Sequence, residues 1–117
     1  MSMWNVSLLT PREDHVAGSY RNKILVAGGR TSAEDFTATA ELFDGKTGVF
    51  RNAGNMHQKR WLAMGAVLGT HFYICGGDNG TGLLSSCEKF SFVHKRWQTV
   101  NSMPEALRGS AAVSQGT

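Results

Sequence analysis

Ile24-Leu25-Val26-Ala27-Gly28-Gly29 returns further along the chain as Phe72-Tyr73-Ile74-Cys75-Gly76-Gly77, and the same landmarks follow each copy. Glu41 with Phe43 answers to Glu88 with Phe90, Phe50 to Trp97, and Met56 to Met103. The glycines are offset by 48 residues (28 to 76) and the acids by 47 (41 to 88). Arg12, Arg60 and Arg108 keep the longer interval, and Trp4 stands ahead of Arg12 much as Phe50 and Trp97 stand ahead of the later arginines. A period of this length marks stacked supersecondary units, none of which buries its apolar face alone.

Each unit divides into four short extended runs. In the second these are Ala63 to Leu68, Phe72 to Cys75, Leu84 to Phe92 and Trp97 to Val100. Gly69-Thr70 is a two-residue link of hairpin length, and Arg21-Asn22 holds its place in the first unit, with Asn22 suited to a left-handed turn. Asp44 to Gly48 and Val93 to Lys95 join the third and fourth runs. No stretch of ten residues shows a helical apolar stripe. Each unit therefore reads as a four-stranded antiparallel meander, and meanders repeated at this period are blades of a β-propeller. The fold class is all-β: two complete blades at 12–58 and 60–106, the end of a preceding blade at 4–9, and the start of another at 108–117.

The landmarks have physical roles in such a blade. The glycine pairs end the second strand, where a missing Cβ permits unusual dihedrals and close approach of backbones. Phe43, Phe50, Phe90 and Trp97 are flat groups suited to filling the wedge between twisted sheets. Glu41 and Glu88 lie within apolar strands and need partners, for which the recurrent arginines and nearby amides are the candidates. A repeated acid of this kind reads as structural rather than catalytic.

Glycines in pairs, Glu with an aromatic two residues on, a Trp-type aromatic, then Met and Arg: this pattern resembles the kelch repeat, and the resemblance covers essentially the whole chain. Phe50 stands where the family usually has Trp, and Phe43 and Phe90 where Tyr is commoner, so the ring is kept and its polar handle lost. The resemblance implies a propeller of about five to seven blades. One face of it would gather the loops between second and third strands with the links between blades. On this sequence that face carries Arg30, Ser32, Glu34 and Asp35, then Asp78, Asn79 and Thr81, with Arg12, His15, Arg60, Trp61 and Arg108 from the links. Arg30, Ser32, Asp35, Trp61, Asp78, Asn79 and His15 are the candidate partner-binding residues, while the arginines in register read as structural.

At 117 residues the chain supplies about 2.4 units of the kind a closed ring needs five or more of, so it reads as an arc of a longer protein. Open sheet edges would then favour self-association. The segment Cys75 to Phe90 is similar to units of BTB-kelch adaptors, which implies a protein-binding module presenting substrates to a cullin ubiquitin ligase; actin or scaffold binding is the alternative, and a copper radical oxidase fragment a third. The four histidines show no paired ligand spacing. Glu13-Asp14-His15 reads as a solvated loop rather than a ligand set, and Gly76 to Gly82 lacks the ending of a phosphate loop. No enzyme activity, metal or cofactor is expected.

The formal charge of +3 is scattered, which argues against nucleic acid, and the longest apolar run, Leu62 to Leu68, is too short to span a bilayer. No secretory leader is read, which implies a cytoplasmic setting, chance sequons at Asn5 and Asn79, and Cys75 and Cys87 as free buried thiols, though neighbouring strands would put them within bridging reach.

Overall fold

A computed structural model describes residues 8–9, 12–32 and 35–101. The expectations placed on Trp4, the Asn5 sequon, Glu34, Met103, Arg108 and the strand at 108–117 lie outside them. Ten strands follow in order: β1 (Val16–Tyr20), β2 (Lys23–Ala27), β3 (Arg30–Ser32), β4 (Asp35–Phe36), β5 (Thr39–Asp44), β6 (Val49–Asn55), β7 (Met64–Leu68), β8 (His71–Cys75), β9 (Cys87–Ser91) and β10 (Trp97–Val100). Among the described residues there is no helix. The strands build two four-stranded sheets, β1-β2-β5-β6 and β7-β8-β9-β10, with β3-β4 as a separate hairpin between β2 and β5. Every pairing is antiparallel. The two blades of an unclosed propeller are thus present as the repeat dictates.

Both two-residue links between first and second strands hold, but the left-handed residue is the first one. Gly69 takes φ 65° and Arg21 φ 55°, whereas Asn22 keeps a negative φ. The closing pair Tyr20↔Lys23 sets the turn, so its geometry falls on Arg21 whatever Asn22 would prefer. β9 is shorter than the run Leu84 to Phe92, because Leu83 bridges Asp78 and the Leu84 N–H donates to Gly77 O, holding those residues in the loop. At the other end Phe92 leaves the sheet to stack on Tyr20 of β1, ring centroids 5.1 Å apart.

The main core fills the space between the two sheets. Leu25, Ala27 and Leu42 from the first blade meet Phe72, Ile74, Phe90 and Phe92 from the second, with Met56 closing the link. Gly18 and Gly65 let the innermost strands approach: a Cβ on Gly18 would lie 2.5 Å from Phe72 Cδ1, and one on Gly65 2.5 Å from Val16 Cγ1. Each fully buried Leu, Ile or Phe here contributes about 1.5–3 kcal/mol by area. The four wedge aromatics form equivalent cross-strand pairs, Phe43 with Phe50 and Phe90 with Trp97, at 5.1 and 5.3 Å. Trp97 keeps the polar handle that Phe50 lacks, and uses it to donate Nε1–H to Ala53 O of the preceding blade at 3.1 Å.

The cysteines depart from expectation. Cys75 and Cys87 are directly opposed in β8 and β9 and are joined by a disulfide, so neither is a free thiol. Opposed residues of antiparallel neighbours are the positions whose Cβ atoms come within bonding reach.

Candidate functional site

The loop face is built by a device that repeats. Glu13 and Arg30 exchange backbone hydrogen bonds, N to O at 2.8 Å in both directions, and Trp61 and Asp78 do the same one unit later at 3.0 and 2.9 Å. The second glycine of each pair makes this possible. A Cβ on Gly29 would lie 2.6 Å from Glu13 O, and one on Gly77 2.8 Å from Trp61 O.

Beneath the face, Arg12 and Arg60 are buried rather than presented. Arg60 Nη1 donates to Gly76 O and Ser86 O at 2.9 Å, and Nη2 to Ser86 Oγ at 2.9 Å and to Glu88 Oε2 at 3.2 Å. Arg12 repeats the pattern: Nη1 to Gly28 O and Thr39 O at 3.0 and 2.8 Å, Nη2 to Thr39 Oγ1 at 3.0 Å and Glu41 Oε2 at 2.7 Å. The preceding segment adds backbone amides to each acid, from Leu9 to Glu41 and from His57 and Gln58 to Glu88. The arginines and the acids are therefore the rivets of the blades.

Above them the face carries a ridge. The Trp61 ring lies on Phe36 with centroids 5.1 Å apart and planes 9° from parallel, and the Arg30 guanidinium is 5.3 Å from the indole centroid. Arg30 and Phe36 are cross-strand partners in the β3-β4 hairpin, so one short ribbon delivers both groups to the indole. Trp61 Nε1 donates to Asp14 Oδ2 at 3.0 Å, and Arg30 Nη2 pairs with Glu13 Oε2 at 2.9 Å. From the second blade Gly80 abuts Phe36, where a Cβ would sit 3.0 Å from the ring. Leu62, next to Trp61 in the chain, and Leu83, bridged to the Asp78 that pairs with Trp61, border this ridge at 61% and 88% exposure.

The other expected site residues are disposed unequally. Asp35 is exposed and pairs with Ser32 across the hairpin. Asp78 Oδ1 accepts the Gly80 N–H at 2.8 Å, and Asn79 Oδ1 accepts from Thr81 N, Thr81 Oγ1 and Gly82 N, so both side chains shape their own loop. His15 is half-buried, its Cα and Cβ against Gly29 and its Nδ1 shielded from solvent. Burial pushes its pKa below the ordinary 6.5, and the Arg12 charge acts in the same direction. Phe36, Glu13, Asp14, Leu62 and Leu83 were not singled out as site residues from sequence. The signals were slight: Phe36 is a lone aromatic between two polar runs, Leu83 follows a stretch of glycines and polar residues, and Leu62 is hidden at the head of the apolar run that leads into β7.

Phe36→Ala is expected to unstack the hairpin from Trp61 while leaving the sheets intact. Aromatic pairs are worth about 0.5–1.5 kcal/mol beyond their area. Hydrogen exchange at residues 30–37 should quicken with little change in the melting temperature; a wild-type exchange pattern there would show that the ridge does not depend on the stack.

Among the described residues no three His, Cys, Asp or Glu side chains gather closely enough to hold a metal ion. A family model of the Kelch motif matches residues 11–57 and 65–104. The chain is 29% identical over 98 residues to the Kelch repeat-containing protein kel-10 of Caenorhabditis elegans, covering 80% of this chain and 17% of that protein. It is 25% identical over 103 residues to Kelch-like protein 35 of Homo sapiens, covering 88% and 17%. It is 26% identical over 117 residues to Alpha-scruin of Limulus polyphemus, covering 92% and 13%. The chain thus spans less than a fifth of the length of these relatives.

Proposed function

The chain belongs to the kelch-repeat family, and from that premise we propose that its loop face recognises a protein partner on behalf of a larger BTB-kelch-type adaptor, which delivers that partner to a cullin ubiquitin ligase. The observation that carries this reading is the ridge of Trp61, Phe36 and Arg30 flanked by exposed Leu62 and Leu83. Binding surfaces draw most of their energy from a few aromatic, Arg and apolar anchors inside a polar rim. Here the rim is mainly acidic, with Glu13, Asp14, Asp35 and Asp78 around the ridge and Lys59 nearby. That composition suits a partner segment with apolar anchors and basic flanks. The face acts by binding and positioning, with no chemistry of its own.

The test uses the full-length protein expressed in cells. A cullin is expected to co-purify with it, together with a partner whose ubiquitination rises with the protein's abundance. Leu83→Asp should release the partner and leave the cullin bound, since Leu83 is 88% exposed and supports no core contact. Absence of any cullin, with co-sedimentation on filamentous actin instead, would transfer the loop face to a cytoskeletal role.

A further inference from the structure

The opposite face of the two blades, where β1 turns into β2, β5 into β6, β7 into β8 and β9 into β10, has a different character. Arg21, Lys23, Lys46, Lys95 and Arg96 lie on it, opposed among the described residues by the single carboxylate of Asp44. Asp44 is engaged: it pairs with Lys23 at 3.6 Å and its Oδ1 accepts the Lys46 N–H at 2.9 Å. The loop face is acidic at its rim, so the scattered net charge of the chain resolves into two poles. Two hollows occupy the basic pole. One, of about 270 Å³, lies where the blades meet and is lined by Tyr20, Arg21, Asn22, Lys23, Lys46 and Phe92. The other, of about 250 Å³, lies around the β9-β10 turn, with His71, His94, Arg96 and Gln98 on its walls. Ser91 pairs with His71 and faces away from the first blade, whereas Phe92 stacks on Tyr20, so the two hollows open on opposite sides of the second sheet at its turn end.

The geometry points to a second binding site here, distinct from the loop face: two basic hollows on either side of the second blade's turns that receive the carboxylate or phosphate groups of an acidic peptide segment laid across those turns. Each hollow is the size of a side chain rather than of a cofactor. Both present guanidinium and ammonium or imidazole donors, the groups that recognise carboxylate and phosphate. The rings at the first hollow are occupied, Tyr20 and Phe92 stacking on one another with Arg21 5.4 Å from the Tyr20 centroid. Bases of a nucleic acid would need such a ring free for stacking. A lipid surface would call for an apolar cluster, whereas of the exposed apolar residues on this face Val49 begins β6 of the first blade and Val93 sits in the β9-β10 turn of the second.

His71 adds a directional consequence. Burial, then Lys89 and His94, hold its pKa below 6.5, and Arg96 and the Thr70 hydroxyl also border it, with Tyr73 on its own strand. An anion in the hollow offsets those charges and raises that pKa. Binding then takes up protons and tightens as pH falls from about 8 to 6.

Anisotropy of a short fluorescein-labelled peptide of alternating glutamate and serine, and of its serine-phosphorylated form, tests the site on the full-length chain. Saturable binding that weakens with salt is expected, with inorganic phosphate as a competitor. Tighter binding of the phosphorylated form would assign phosphate as the preferred group, and equal binding the carboxylate. Lys46→Gln with Arg96→Gln should weaken binding by about tenfold or more, while Lys59→Gln, a loop-face cation, leaves it within about twofold. Because these are exposed conservative changes, circular dichroism should be unaltered. Absence of saturable binding by the folded protein, or equal weakening by Lys59→Gln, would overturn the site. Leu83→Asp leaves this binding unchanged, so failure here and failure of the loop-face reading are separable.

Discussion

Arg60→Met should destabilise the chain by about 3–5 kcal/mol, because it removes one partner of a buried ion pair and leaves the other charged. Arg60 and Glu88 have side-chain exposures of 0% and 1%, so neither charge has water to fall back on. The substitution also takes the donors from Gly76 O and Ser86 O, two carbonyls at the root of the loop between β8 and β9. Whole domains are stable by only about 5–15 kcal/mol, so a loss of this size approaches global unfolding. Arg60→Lys should fall between, since an ammonium keeps the charge but cannot reproduce the fork that reaches two carbonyls, a hydroxyl and a carboxylate at once. Arg60→Met combined with Glu88→Leu should recover a good part of the loss, because an apolar pair carries no desolvation cost. Urea midpoints of the singles and the double give the coupling. A cost under about 1 kcal/mol for Arg60→Met would show that the guanidinium is solvated and that the rivet does not hold the blade.

The difference between what the sequence revealed and what it hid follows from which interactions repeat. The blade meanders, the glycine pairs, the acids and the buried arginines were legible because each is dictated by the chain's own period, and Arg12 with Glu41 is Arg60 with Glu88 shifted by one unit. The cross-strand Phe43–Phe50 pair was legible for the same reason. The β3-β4 hairpin was not, since it occurs in the first unit only, where no second copy marks its limits. With it went Phe36, and so the ridge on Trp61. The disulfide was not expected because two cysteines in a chain of this composition suit free buried thiols, while the register that opposes Cys75 to Cys87 was implicit in the strand assignments. His15 lies on the inter-blade link where the repeat puts it, and its half-burial against Gly29 was not legible, because sequence does not say which of two neighbouring side chains entering β1 at Val16 turns inward. Charge polarity escaped for a simpler reason: it exists only once the turns are known to share one end of both sheets and the loops the other.

Gly28→Ala and Gly48→Ala replace glycines of nearly the same backbone conformation and should differ several-fold in cost. Both glycines hold a left-handed backbone, φ 70° and 74°. Each alanine therefore incurs the penalty of about 1–2 kcal/mol for an L-residue in that region. Around Gly48 there is nothing within 4 Å of the new Cβ, so the penalty is the whole effect. Around Gly28 the new Cβ would lie 2.4 Å from Arg60 O, a backbone atom that cannot rotate aside. That same carbonyl accepts the Gly29 N–H at 2.7 Å, and Arg60 N–H reaches Thr37 O at 3.4 Å, so the glycine pair is the seat on which the link to the second blade rests. Relieving the clash means lifting Arg60, which breaks the Gly29 bond and displaces the guanidinium from Gly76, Ser86 and Glu88. Overpacking against a rigid neighbour costs about 1–3 kcal/mol by itself, and the lost ion-pair geometry adds to it. Gly28→Ala should consequently disturb amide exchange in both blades and shift the urea midpoint by several times the change for Gly48→Ala. Equal shifts for the two would mean that the blades meet without the close approach at Gly28, and that the glycine pair serves only its own turn.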